Sequence, residues 1–498
     1  MSSMFFGLEI AKSALAVSQR SLTLTGHNIA NANTTGYTRQ RILQHAIDPS
    51  FAPSRIAVDK RASVGGGVET CVIDQIRSEY IDRQYRGENA SLGYWTTRAE
   101  ELYYIETILD ELSDSSVSAS MRDFFNSISE LSMDPVNEEI RTNVQQNALK
   151  MIETFKHYYT TLTDLQSTYN ESMDITVQDI NDLLTNISNY NKQIFAYELS
   201  GQKANDLRDK RNVLLDQLSG LVGITYEENT DGHMVVSCEG VELINHVTVT
   251  YLETQPVLEG VVSQTPGFYE IYYEGTTTPF NYSSGQLHAY KDLRDGNTPG
   301  EIGVPYVLES INTLARYMAE VFNDVHSDGY SMPFGSEPSQ TGINFFDVPA
   351  GGYGDITAGT LALSSQILEN VNYIAASSVP IDPNADNPQK GNNVIALALS
   401  ALSTRLDIPG VGNFENYLKS TIVEIAIDSS TSQKMMYSQQ TIMDNLEERR
   451  QSVSGVSLDE EMVQMITYQH AYAAASRALT ALDEALDVLI NRTGLVGR

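Results

Sequence analysis

Between residues 8 and 29, apolar and small side chains return at alternating steps of three and four: Leu8, Ala11, Leu15, Ser18, Leu22, Thr25 and Ile29. Such steps put them on one stripe of a helix that packs along a single seam. The far end of the chain keeps the same rhythm without interruption through Met465, Tyr468, Tyr472, Ala475, Leu479, Leu482, Leu486 and Leu489. A lone amphipathic helix is marginal in water and leaves its apolar face bare, so each stripe needs a partner. The pattern predicts that the two ends pair as a coiled-coil-like helical hairpin, with Leu8, Leu15, Leu22 and Ile29 facing the C-terminal stripe.

Further helical periods fill the interior. Leu92, Trp95, Ala99, Leu102, Ile105, Leu109 and Leu112 read as one helix, and Ile140, Val144, Ala148, Met151, Phe155, Tyr158, Leu162 and Leu165 as another. Val177, Ile180, Leu184, Ile187 and Ile194 continue the pattern, with Asn191 at a seam position where a polar side chain fixes register. A helix is predicted from about Asn205 to Leu221, another across Val307 to Phe322, and a third from Leu418 to Val453. After Gly223 the period changes: Val247 to Tyr251 alternates and Phe268 to Tyr273 is aromatic-rich, as strands are. The reading is a mainly α fold with inserted β. Residues 1–45 with 456–498 form a terminal helical domain, and 46–222 with 300–329 and 410–455 a helical-bundle inner domain. Residues 223–299 with 330–409 form the β-rich outer domain or domains.

Composition narrows the class. The chain has 498 residues, 41% of them hydrophobic, and no run of apolar residues approaches the roughly 20 that a membrane-spanning helix needs. Lys and Arg number 32 against 64 Asp and Glu, a net charge of −32, which repels phosphate backbones and anionic lipid. Nucleic acid and membrane insertion are therefore excluded as partners. The charge is unevenly placed. Residues 1–45 carry Lys12, Arg20, Arg39 and Arg41 against Glu9, while residues 456–498 carry a surplus of acids, so the two ends are electrostatically matched. The opening residues show no apolar core of the Sec type, which points to cytoplasmic residence or to another export route.

Catalytic chemistry finds little support. The eight histidines form no HExxH pair, and Cys71 and Cys238 have no metal or redox spacing, so no cofactor, metal or catalytic residue is expected. Ser63 to Val68 is glycine-rich but lacks the Lys-Ser/Thr of a phosphate loop and reads as a turn before a strand. Asp382 to Asp386 begins like a calcium loop, yet Asn387 stands where glycine is required. Asn33 and Asn281 begin weak glycosylation triplets. The acid pairs Glu460–Glu461 and Asp483–Glu484 read as a solvated helix face, because adjacent helical residues diverge by about 100°.

The N-terminal stripe runs into Thr25-Gly26-His27-Asn28-Ile29-Ala30-Asn31-Ala32-Asn33-Thr34-Thr35-Gly36-Tyr37, whose Gly, Asn and Thr residues should end the helix in a defined turn. This segment, through Arg39, Gln40 and Arg41, resembles the N-terminal signature of the bacterial flagellar axial proteins of rod, hook and hook-associated type. Ser454 to Met462, with Tyr468-Gln469 and Ala471-Tyr472, resembles their C-terminal end. Tyr37-Thr38-Arg39-Gln40 is similar to the form found in the hook-associated protein 1 (FlgK) family. So are Ala204 to Leu215, Ser284 to Asp295, Asn344-Phe345-Phe346 and Gly391-Asn392-Asn393. The resemblance implies a structural, non-enzymatic subunit of the extracellular flagellum, in a ring of its own copies between hook and filament. It implies contact with the hook protein on one side and with the second junction protein, hook-associated protein 3, on the other. Export would run through the flagellar type III system without a Sec signal, with a chaperone on the C-terminal helix. The implied assembly residues are the seam positions named above, and Asn28, Asn31, Asn33, Gly36, Tyr37, Arg39 and Gln40 make the signature turn. Two other readings stay open: a hook or distal rod protein, and a secreted filament component with a binding face in residues 223–405.

Overall fold

The computed structural model describes residues 2–47, 65–109, 116–229, 233–257, 267–334, 337–382, 389–408 and 410–492. The chain opens with helix α1 (Ser2–Asn31) and a two-stranded antiparallel hairpin, β1 (Gln40–Ala46) with β2 (Val68–Gln75). Four helices follow: α2 (Glu79–Leu109), α3 (Val117–Met133), α4 (Glu138–Glu198) and α5 (Asn205–Leu221). Side-chain caps start two of them: the Ser116 oxygen accepts from the Ala119 N–H and the Asn137 oxygen from the Glu139 N–H. The two apolar patterns between Ile140 and Ile194 are one helix of 61 residues with neither Gly nor Pro to break it.

The inserted β structure begins where expected, after Gly223. Strands β3 (Thr225–Glu228), β4 (Met234–Cys238), β5 (Val241–Asn245) and β6 (Thr248–Val249) form an antiparallel meander, and β7 (Leu252–Pro256) pairs with β8 (Tyr269–Tyr273). In β4, Met234, Val236 and Cys238 are buried and the residues between are half-exposed, the period of two that a sheet with one covered face requires. The alternating run Val247 to Tyr251 yields only the two residues of β6, because the chain turns at once into β7.

Helix α6 (Gln286–Asp295) and the small pair β9 (Asn297–Thr298) with β10 (Glu301–Ile302) lead to α7 (Val304–Ser327). Beyond it come the short helices α8 (Ser365–Glu369) and α9 (Val394–Ala401), and then the long α10 (Phe414–Ser454) and α11 (Leu458–Asp487). No helix among the described residues is long and apolar enough to cross a membrane. Residues 330–409 were expected to be β-rich together with 223–299. The described ones carry only isolated bridges, three-residue 3-10 turns and α8 and α9. Their apolar residues act as separate anchors between Gly, Pro and Asn, too widely spaced for a ladder. Asn323 does the ladder's work, its amide oxygen accepting from the Phe345 and Phe346 N–H groups and its nitrogen donating to the Phe346 carbonyl.

Two cores result. The first joins the C-terminal part of α2, α3, the first half of α4, α7, α9 and α10 around Phe124, Phe322, Phe345 and Phe346, whose rings lie 4.8 to 6.3 Å apart. The second packs the meander, through Val236, Leu243 and Ile244, and the β7–β8 pair, through Ile271, on the second half of α4 and on α5. Helix α4 belongs to both. Asn191 joins α4 to both neighbours: its oxygen accepts from Arg211 of α5 across the helix–helix contact, and its nitrogen donates to the His246 carbonyl beside the sheet.

Candidate functional site

Helices α1 and α11 lie side by side and antiparallel. A Cβ on Gly7 would sit 3.5 Å from Leu482, and at the other end Asn28 donates to Glu461, so numbers rise along one helix as they fall along the other. The small seam residues Ala11, Ser18, Thr25 and Ala475 are buried, which lets the backbones approach closely. The large ones, Leu8, Leu15, Leu22, Ile29, Met465, Tyr468, Leu479, Leu482 and Leu486, flank them half-buried. Tyr472 is 37% and Leu489 40% exposed. Val17, Ser21 and Asn28 are buried on another face of α1, beside the β1–β2 hairpin, where Gln44 donates to Ser21 and the Val68 N–H to Ser13.

The pair is tied to the helical body by a corner built on the signature turn. Gly36 has φ +77, and a Cβ there would come within 2.2 Å of the Val213 side chain, so both conformation and space demand glycine. Asn28 is the hub: its nitrogen donates to the Gln40 carbonyl at 2.9 Å and to Glu461 at 3.1 Å, and its oxygen accepts from the Tyr37 hydroxyl at 2.7 Å and the Gln40 N–H at 3.2 Å. Burial, then the carboxylates of Asp206, Asp209 and Glu461, push the Tyr37 phenol well above its usual range, so it stays a donor. Asn31 bonds back to the His27 carbonyl and accepts from Thr34, closing the helix end, and Asn33 is exposed.

Arg39 spans the joint between the last two helices. Its N–H donates to the Ser454 carbonyl at the end of α10, while its guanidinium reaches Glu461 at 2.8 Å and Glu460 at 2.7 Å in the first turn of α11. Acids in that turn also oppose the positive end of the helix dipole. The reading of Glu460–Glu461 as solvated holds for Glu460, 64% exposed, and fails for Glu461, 2% exposed, because Arg39 and Asn28 supply its partners.

The far side of the turn meets α5. The Thr38 N–H donates to Asp209 at 3.0 Å, Gln40 to Asp206 at 2.8 Å and Gln75 to Asp209 at 2.8 Å. Burial, opposed in part by the Thr38 bonds and Arg77, raises the Asp209 carboxyl to about 6. A chain of alternating charges continues into the body: Arg77, Asp82, Arg450, Asp216 and Arg86, linked at 2.5 to 3.1 Å. Asp206, Asp209, Glu461 and Arg450 are invisible as a site in the sequence, since the hydrogen-bond partners that join them across elements lie 134 to 433 residues away. The only local hint was the density of Asp and Arg in the segment from Ala204.

The rest of the chemistry searched for in the sequence lies elsewhere. Gly65 to Gly67 lead directly into β2, exchanging backbone hydrogen bonds with Ile47 rather than forming a turn, and a Cβ on Gly67 would come within 2.4 Å of Ser13 on α1; Ser63 and Val64 lie outside the described residues. So do positions 383–388 of the acidic loop.

The geometry is that of a chain whose two ends form one unit on a helical body. The family model for the flagellar hook-associated protein FlgK helical domain matches residues 102–346. At the ends, the flagella basal body rod protein model matches residues 8–38 and the flagellar basal body rod FlgEFG protein C-terminal model residues 447–492. Flagellar hook-associated protein 1 of Bacillus subtilis is 33% identical over 523 residues, covering all of both chains.

The chain belongs to the flagellar hook-associated protein 1 (FlgK) family. The family member of Salmonella typhimurium is 23% identical over 560 residues, covering 97% of this chain and 98% of that one. The solved structure of the flagellar hook junction protein FlgK from Burkholderia pseudomallei superposes with a TM-score of 0.59 at 13% identity, over 75% of this chain and all of that one, a likeness of fold. Hook-associated proteins are structural parts of the flagellum rather than enzymes. This chain accordingly assembles in the flagellar axial structure.

Proposed function

We propose that the protein forms the ring between hook and filament, with each subunit meeting its neighbours through the α1–α11 pair. The observation that carries this reading is the surface of α11. With its seam turned to α1, the helix still leaves Met462, Val463 and Ile466 50 to 64% exposed, and Val488 and Ile490, in the π-helical turn Val488–Arg492 that extends it, are 47 and 67% exposed. A row of this kind on a helix already paired is a contact for further helices. In this reading the chain works as three parts. Residues 1–45 with 456–498 line the inside of the ring, the helical body stands around them, and the sheet lies outside. The hook protein meets one side and hook-associated protein 3 the other. Subunits pass unfolded through the flagellar type III channel, and a chaperone covers the C-terminal helix until assembly.

The test is gold-label electron microscopy of intact flagella with a tag in the exposed Glu239–Gly240 turn. One labelled band between hook and filament is expected. Label along the whole hook or rod, or off the flagellum, would overturn the reading.

A further inference from the structure

Hairpin β1–β2 turns one face to α1 and the other to solvent. Along β2 the residues alternate strictly, Val68, Thr70 and Val72 half-buried and Glu69, Cys71 and Ile73 exposed. Thr70 accepts from Arg20 of α1, which fixes the inner face, so Glu69 and Cys71 point outward. His45 of β1 is the direct cross-strand partner of Glu69. A bulge then intervenes: Leu43 pairs with Val72 and Gln44 with Thr70, leaving Cys71 as the extra residue, unpaired in the ladder. Bulges re-aim a side chain, and here the result sets an imidazole, a carboxylate and a thiol together.

Their spacing suits a metal ion. Tetrahedral zinc, with bonds of about 2.0–2.3 Å, separates nitrogen from oxygen by about 3.4 Å and sulfur from nitrogen by about 3.6 Å. The structure places a Glu69 oxygen 3.4 Å from His45 Nε2 and the Cys71 thiol in close contact with His45 Nδ1, with one donor atom of each residue within 4.8 Å of the others, so that a turn of the exposed imidazole offers one nitrogen to an ion held by both. Packing gives no reason for this thiol, because cysteine is ordinarily buried and Cys71 is exposed. No single stretch of sequence announces the set, since pairing across the hairpin brings residue 45 to residues 69 and 71.

We propose that His45, Glu69 and Cys71 form a three-ligand site for a thiophilic divalent cation, zinc foremost, with water in the open fourth position. Binding takes neutral imidazole, carboxylate and thiol, forms a metal–sulfur bond and releases the Cys71 proton to solvent, so affinity rises with pH. The site stitches β1 to β2 on the outer face of the hairpin that braces α1. It stands apart from the terminal seam and does not depend on the place of the protein in the flagellum.

The test is titration of the full chain with ZnCl2 against a chromophoric indicator, and with CoCl2 for its thiolate charge-transfer absorption. Cys238, buried with its thiol pushed up to about 12, does not compete. One equivalent is expected. Cys71→Ser should abolish the cobalt–thiolate band, and His45→Gln and Glu69→Gln should each weaken zinc binding roughly tenfold or more, scaled from the 10–100-fold cost of losing outer-shell partners. All three positions are exposed, so circular dichroism should be unchanged. Failure of the wild-type chain to hold zinc, or equal affinity in His45→Gln and Glu69→Gln, overturns the proposal.

Discussion

Single residues of the corner carry separable loads. Gly36→Ala meets both a left-handed backbone and Val213, whereas Gly240→Ala, at φ +81 with open space around it, meets the backbone penalty alone. Thermal unfolding should show Gly240→Ala costing about 1–2 kcal/mol and Gly36→Ala clearly more. Adding Val213→Ala should recover part of the difference in the second variant only. Arg39→Met strands the buried Glu461 carboxylate and should cost about 3 kcal/mol, while Arg39→Met with Glu461→Met should cost much less. Equal loss in the single and double variants would show that the ion pair is not what holds the joint.

Elements were unequally legible. Helix α5 runs over the residues its pattern indicated, and the terminal stripes pair as their shared rhythm demanded, because a helix period is written locally. The bonds that join elements are not. Glu461 and Asn28 are 433 residues apart, and nothing near either one announces the other. Residues 330–409 misled for a related reason: turn-rich composition is shared by loops with strands and loops that drape on a helical core. At this scale the exposed row on α11 makes a prediction. Ile466→Glu changes a side chain 54% exposed in the single chain and should alter its stability by no more than about 0.5 kcal/mol. Incorporation into flagella, scored by microscopy and motility, should nevertheless fail. Leu486→Asp should also block incorporation while leaving the melting of the two cores unchanged.

Across the whole molecule, acid acts in opposite directions at two places. His326 is fully buried in the first core, with Nδ1–H donating to the Ile343 carbonyl and Nε2 accepting from the Ala375 N–H, and burial lowers it to about 4. Its neutral ring contributes stability that is complete above about pH 6.5 and is lost as pH falls toward 4. Asp209 is raised, so its ionisation weakens the corner as pH climbs toward 6, and acid relieves it. Hydrogen exchange at pH 5 against pH 7 should therefore show residues 343–376 losing protection while residues 205–216 keep theirs. The difference in stability between wild type and Asp209→Asn should fall from pH 4 to 6 and stay flat above it.

Helix α4, about 90 Å long at 1.5 Å per residue, threads both cores without a breakable position. Twist or pull applied at one core therefore reaches the other as strain in a continuous rod, not as rotation about a hinge. A subunit built this way behaves as a stiff mechanical coupling, whose halves turn together.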